Sequence, residues 1–306
     1  MVKLPLALTA NWNKAKLAGT ILKDSVEFNL RRRKFRSWAM KQPLDAIIVD
    51  MDGTVFHSDA NLEALRLLFP KKVRRKKTEG QVIYESVIDK ILAGMPLEKA
   101  VLESHSILIR KDFSIRDIQR VLNLIKPKIR IELIVCLKEI KRVTGVPIIL
   151  ATLSSREFAR MLNAHLAQTF DFRFDGVVGT ELHFDKKGYV IAIKDLIGKS
   201  NYNLDGVRVR TKLRAIQDHF AAQGDVFDPN RAMLITDSYA DIDLSKEMLT
   251  VLIKPRKSLM MAQTVSQRLR LADFVVREGP ELLKKMQEIV FKRAHVEPIF
   301  SGIPRV

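Results

Sequence analysis

Residues 44–54 read LDAIIVDMDGT, a continuous apolar run that stops against two aspartates and a glycine. A short run with no polar alternation suits a strand buried on both faces, as strands are inside parallel sheets. Asp50 and Asp52 then stand where that strand ends, and Gly53 permits the turn away from it. Parallel strands need crossover connections, so this single element already asks for a chain of alternating strands and helices.

The rest of the sequence supplies them. VPIILA (146–151) ends on Thr152 and AMLIT (232–236) ends on Asp237. VLIKP and ADFVV read as two further strands, and DGVVGTELHF with GYVIAIK as a pair joined through Asp185-Lys186-Lys187-Gly188. SSREFARMLNAHLAQTF reads as a helix with Ser154 or Ser155 at its N-cap, and TKLRAIQDHFAAQ as another. From about 60 to 142 the apolar spacing is helical throughout, as in Ile118, Val121, Leu122 and Ile125. The expected fold is α/β, a mostly parallel sheet with helices on both faces and an all-helical insertion after the first strand. The expected organisation is a basic extension over 1–42, built from one or two short helices and a linker, a core over 43–60 and 143–306, and a helical cap over 61–142.

Composition removes several classes. With 306 residues, 47% of them hydrophobic, the chain can bury a large core and is not disordered. The single cysteine, Cys136, excludes an intramolecular disulfide framework, and its apolar setting in IELIVCL makes it a core residue. No apolar run approaches the ~18 residues that span a bilayer, and Asn11, Asn13 and Lys14 interrupt the start before it resembles a signal peptide. The expected location is cytoplasmic. The histidines His57, His105, His165, His183, His219 and His295 share no spacing that suggests a metal site.

The net charge is +18, and its distribution is uneven. Residues 1–42 carry ten Lys and Arg against Asp24 and Glu27, whereas 43–59 hold four aspartates and no basic residue. An acidic island in a basic chain thus coincides with the first strand end. In open α/β sheets ligands bind beyond the carboxyl ends of the strands, so Asp50, Asp52, Thr152 and Asp237 should converge. Gathered carboxylates repel unless a cation neutralises them, and oxygen-only ligands favour a hard cation such as Mg²⁺ together with substrate phosphate. The residues by themselves point to a Mg²⁺-dependent phosphoryl site.

At this point a family resemblance becomes specific. D-M-D-G-T (50–54), the strand-terminal Thr152, Lys212 opening the helix TKLRAIQDHF, and D-S-Y-A-D (237–241) after AMLIT resemble the four ordered motifs of the haloacid dehalogenase superfamily. The insertion after the first motif resembles the helical cap of its phosphoserine phosphatase-like branch, and FDGVVGTELHFDKKGYVIAI is similar to subfamily IB. The resemblance implies a Rossmann-like core and an aspartyl-phosphate mechanism. Asp50 would be the nucleophile and Asp52 the acid and base. Thr152 would bond a phosphoryl oxygen, and Lys212, preferred over Lys194 and Lys199, would neutralise charge. Asp50, Asp52 through its carbonyl, Asp237 and Asp241 would serve Mg²⁺, Asp241 through a second shell or through Lys212.

Asp59 stands nine residues after Asp50, where phosphoserine phosphatases place a glutamate that contacts the substrate amine; Ser154 and Ser155 are further candidate substrate contacts. Leu153 and Ser154 replace a Gly-Gly of those enzymes and Gly53 a Ser, so the expected substrate is a small phosphorylated metabolite rather than L-phosphoserine in particular. The alternatives are a phosphotransferase using the same residues, or a basic protein whose runs at 31–36 and 71–77 meet nucleic acid or a membrane surface. Packing on the core is the expectation for the extension, with Arg31–Arg36 left exposed.

Overall fold

The apolar runs read from the sequence lie side by side in the computed structural model, which describes residues 6–74, 77–237, 239–254, 271–278 and 281–294. A long helix, α1 (Leu6–Ala39), leads to strand β1 (Ala46–Asp50). Helix α2 (Ala60–Leu68), a ribbon of β2 (Lys72–Arg74) and β3 (Lys77–Thr78), and helices α3 (Glu79–Leu92), α4 (Leu97–Ile109) and α5 (Ile115–Ile125) follow. Next come α6 (Ile131–Thr144), β4 (Ile148–Ser155), α7 (Arg156–Phe170), β5 (Gly176–Phe184) and β6 (Val190–Gly198). The chain continues through β7 (Tyr202–Leu204), β8 (Val207–Thr211), α8 (Lys212–Ala221), β9 (Ala232–Thr236) and the short α9 (Ile242–Ser245). The remaining described elements are β10 (Leu249–Lys254), β11 (Phe274–Arg277) and α10 (Glu281–Ala294).

Nine strands form one sheet in the order β11-β10-β9-β1-β4-β5-β6-β8-β7. Every pair from β11 to β5 is parallel; β5 with β6 and β7 with β8 are antiparallel. β1 occupies the centre, with Ile48 opposite Ile149 on one side and Leu234 on the other. All five of its residues are buried, which is why its sequence is apolar without alternation. The expected α/β class and mostly parallel sheet are thus present.

Within the insertion α2, α3, α4 and α5 pack on one another. α5 buries Ile118, Val121, Leu122 and Ile125 as its spacing requires, under a capping box between Ser114 and Asp117. The insertion departs from an all-helical reading at the β2–β3 ribbon. Gly80 then starts α3 against the α2 backbone, where a Cβ would stand 2.0 Å from the Leu65 carbonyl oxygen. α6, the last helix of the 61–142 stretch, packs instead on α10, with Cys136 Sγ 3.9 Å from the Leu283 carbonyl oxygen. The run at 71–77 is described only in part, because Arg75 and Lys76 lie outside the described residues, as does His295.

The extension differs from the sequence reading: one helix of 34 residues replaces one or two short ones. Proline is absent from 6–39, so no residue there forces a break. Its C-terminal half packs on the core as expected. Phe28 is buried with Ile242 and Leu271, and Lys246 reaches Asp24 at 2.6 Å and Glu27 at 3.2 Å. The arginine run is not simply exposed. Arg32 donates to the Asp273 carbonyl at 3.0 Å, and the Arg36 guanidinium lies 4.1 Å over the Phe274 ring.

Phe28→Ala should remove about 3 kcal/mol from this docking, the cost of truncating a buried aromatic. Limited trypsin digestion should then cut α1 free faster than in the wild type while the remaining core persists. Equal cleavage rates would show that the Phe28 cluster does not hold the helix.

Candidate active site

Because β1, β4 and β9 are adjacent and parallel, their carboxyl ends fall in one row. Asp50 ends β1 and Asp237 follows β9 directly, whereas Thr152, read as strand-terminal, lies within β4, one residue past Ala151, the partner of Asp50. Lys212, the first residue of α8, reaches into this row from the side. Its Nζ stands 2.9 Å from Asp50 Oδ1 and 2.6 Å from Asp241 Oδ1. Lys194 and Lys199 serve elsewhere: the first pairs with Glu181 at 3.0 Å, the second with Asp243 at 2.9 Å.

The turn after β1 is tight. Gly53 takes φ of 77°, a left-handed conformation that costs a side-chain-bearing residue energy. The turn carries Thr54 back over the strand end, where its Oγ1 lies 3.1 Å from Asp237 Oδ1 and 3.4 Å from Asp50 Oδ2. Asp52 points to a separate set of donors. Its Oδ1 accepts from the Ala60 amide at 2.7 Å, and its Oδ2 from the hydroxyls of Thr152 at 3.0 Å and Ser154 at 2.8 Å.

Asp241 carries Lys212 on Oδ1, and its Oδ2 accepts from the Thr236 hydroxyl at 2.8 Å. Both of its oxygens are thus engaged, one by the lysine and one by Thr236. Ser154 and Ser155 separate in role. Ser154 bonds Asp52, whereas Ser155 is the N-cap of α7, accepting from the Phe158 amide at 3.2 Å. Asp59 is the N-cap of α2, accepting from the Leu62 amide at 2.9 Å, and its other oxygen accepts from Tyr84 Oη at 2.9 Å. The sequence reading passed over Thr54, although it lies inside the D-M-D-G-T motif, and over Tyr84, which no local pattern marks.

Burial dominates the electrostatics. Asp50, Asp237, Asp241 and Lys212 are all buried. Burial pushes the Asp50 carboxyl well above the ordinary range; Lys212 opposes the shift, and Asp241, Asp237 and Asp52 add to it. Asp52 is pushed up to about 7, chiefly by burial and then by the charge of Asp59, against the bonds from Ala60, Ser154 and Thr152. Burial works against the charge of Lys212, yet Asp241 and Asp50 outweigh it and raise its pKa.

Four carboxylates thus gather around one buried lysine that bonds two of them, and the surplus negative charge suits a divalent cation. The donor set is oxygen only, which suits a hard one. Among the described residues no three His, Cys, Asp or Glu side chains form a ready-made metal cluster.

Comparison with known proteins bears on this arrangement. Residues 47–246 match the family model described as haloacid dehalogenase-like hydrolase. No curated protein matches in sequence. Among solved structures, a substrate-bound phosphoserine phosphatase aligns at a TM-score of 0.54 and 12% identity, covering 81% of this chain and 99% of that one. A haloacid dehalogenase family hydrolase, t0658 of Salmonella enterica serovar Typhi, aligns at 0.54 and 13%, covering 77% and 68%. Cytosolic 5′-nucleotidase IIIB bound to cytidine aligns at 0.53 and 11%, covering 86% and 90%. At such identities the likeness is one of fold.

The Asp52 carboxyl makes stability depend on pH. Its folded pKa of about 7 lies above the ordinary value of 3.8, so the folded state holds the proton more tightly. That contribution favours folding at acid pH and is lost as pH rises through about 7. Asp52→Asn, which cannot ionise, should melt several degrees above the wild type at pH 8 in metal-free buffer. The gap should close by about pH 4, where both forms are neutral. A variant less stable than the wild type at pH 8 contradicts this account of Asp52.

Proposed function

The chain belongs to the haloacid dehalogenase-like hydrolases, and within that family we propose that it is a phosphomonoester hydrolase whose nucleophile is Asp50. One observation carries the reading: two carboxylates two residues apart are held in opposite circumstances. Asp50 is ion-paired to Lys212, and Asp52 is bonded by two hydroxyls and an amide and shifted to about 7. A carboxylate held by a lysine, beside one held by hydroxyls and an amide, supports one nucleophilic and one acid–base role.

In this mechanism Asp50 attacks the phosphorus of the monoester, and the bond from phosphorus to the leaving oxygen breaks. Asp52, protonated in part at neutral pH, gives its proton to that oxygen, so the alcohol leaves neutral. The resulting carboxylate then takes a proton from water, which attacks the phosphorus of the aspartyl-phosphate and returns Asp50 with release of phosphate. Lys212 holds Asp50 in place against Asp241 and supplies fixed positive charge as the phosphoryl oxygens shift. Thr152 and Ser154 orient Asp52, and Thr152 would also meet a phosphoryl oxygen. Mg²⁺ held by the Asp50 and Asp237 carboxylates and the Asp52 carbonyl would neutralise substrate phosphate charge.

The substrate proposed is a small phosphorylated metabolite, and the compartment the cytoplasm. The gap beside the site, lined by Ala60, Asn61, His105, Ser155 and Phe158 among others, has a volume of about 20 Å³. That is room for one water. Asp59 fits a substrate amine less directly than the resemblance implies, since Tyr84 and the α2 amide already use its two oxygens.

Asp50→Asn should abolish turnover of p-nitrophenyl phosphate, because an amide is a poor nucleophile. Activity above about a tenth of wild type would sink the assignment of Asp50. EDTA should remove wild-type activity and added Mg²⁺ restore it, with Asp237→Asn raising the Mg²⁺ requirement. Undiminished turnover in EDTA would reject the metal part of the reading.

A further inference from the structure

A second set of charged groups sits behind the catalytic turn. Residues 55–57 and 128–130 run antiparallel, with the His57 amide donating to the Lys128 carbonyl at 2.9 Å and the Arg130 amide to the Val55 carbonyl at 2.8 Å. Phe56 and Ile129 form the bridge between them. These segments are the two strands of chain that enter and leave α2–α5. The Arg130 side chain, fully buried, turns from this ladder toward the turn.

One arm of its guanidinium, Nη1, donates to the Gly53 carbonyl at 3.0 Å and also to the Thr54 carbonyl. The other, Nη2, lies 3.3 Å from His57 Nδ1 and 3.6 Å from Glu278 Oε2. Glu278 follows β11, its amide donating to the Lys254 carbonyl at 3.0 Å, and its Oε1 stands 3.2 Å from His57 Nε2. Arg130 Nε has no hydrogen-bond partner among the described residues. A buried guanidinium with an unpaired N–H is costly, and an apolar side chain of similar length would fill the space more cheaply.

We propose that Arg130 is a positioning residue for the reaction, acting through Thr54. The guanidinium clamps the Thr54 carbonyl while the Thr54 hydroxyl faces Asp50 and Asp237, so Arg130 sets the spacing of the nucleophile and its metal-binding partner. Glu278 anchors the far end of the clamp to the sheet. Lysine cannot replace it. An ammonium carries the charge but lacks the planar fork that reaches two carbonyls on one side and a carboxylate on the other. The proposal rests on the phosphatase reading above for its kinetic consequence, but not for its effect on the carboxylates.

The test compares wild type, Arg130→Lys and Glu278→Gln in two assays: p-nitrophenyl phosphate kinetics, and the rise in melting temperature produced by Mg²⁺ alone. In Arg130→Lys we expect kcat to fall by about 10- to 100-fold with KM changed less than about threefold, since misplacement of the reacting group by about 1 Å has that cost. The Mg²⁺ concentration needed for half the thermal shift should rise by about tenfold. A purely structural role would lower the melting temperature without moving either readout. A folded Arg130→Lys protein with wild-type kcat and Mg²⁺ midpoint overturns the proposal. If that variant does not fold, Glu278→Gln decides: a lower kcat and a higher midpoint support the clamp, and wild-type values overturn it. A wild type that binds Mg²⁺ but turns nothing over refutes the phosphatase reading and leaves Arg130 to be judged on the Mg²⁺ midpoint. A wild type with neither property overturns both.

Discussion

The Lys212 ammonium between Asp50 and Asp241 is the contact on which the site's other distances depend. Two neighbouring parallel strands, β1 and β9, deliver acidic ends to one place, and a buried cluster of that kind is unfavourable without positive charge inside it. Lys212 supplies one charge, fixed from both sides, and leaves a deficit that a divalent cation can fill. The same shortage explains why Asp50 is raised despite its lysine and why Asp52, without one, moves further toward neutrality than an exposed carboxylate would.

Around that core of charge the fold acts as a jig. Gly53 allows the chain to double back, Thr54 then touches both Asp50 and Asp237, and the Ala60 amide at the start of α2 fixes Asp52. The candidate site residues Asp50, Asp52 and Thr54 and the residues that open the insertion thus belong to one short stretch. Displacement of α2 would withdraw a hydrogen bond from Asp52, which couples the position of the inserted helices to that carboxyl. Asp59 and Tyr84 extend that coupling into α3, since the N-cap of α2 is also the acceptor for the tyrosine.

Where sequence reading succeeded, local physics and tertiary context agreed. β1, β4 and β9 are buried on both faces and so carry unbroken apolar runs; α5 and α7 have caps and periodicity that can be read directly. Where it fell short, the signal was weak or ambiguous. The β7–β8 hairpin was missed although Asp205-Gly206 marks it, with φ of 49° and 83° as a tight hairpin turn requires. Its strands are short and polar at a sheet edge, so they lack the apolar pattern that announced the others. The extension was divided into pieces because its apolar residues follow no single stripe, yet the backbone runs as one helix. α6 was grouped with the insertion because its sequence is simply amphipathic; only packing shows that its partner is α10.

The sequence by itself determined the apolar strands and placed Asp50, Asp52, Thr152 and Asp237 at or beside their ends, because side-chain burial and chain direction are written residue by residue. It also made Lys212 the strongest lysine, through its place at the head of a helix one element before Asp237. Tertiary structure decided which oxygen meets which donor. It assigned Asp241 to the lysine, Ser154 to Asp52, Ser155 to a helix cap and Tyr84 to Asp59. It also brought Arg130 and Glu278 to the back of a turn 77 residues from the one and more than twice as far from the other. Such pairings join groups far apart in the chain, and no local periodicity or propensity records them; they exist only once the sheet has closed and burial has made each unpaired polar atom costly.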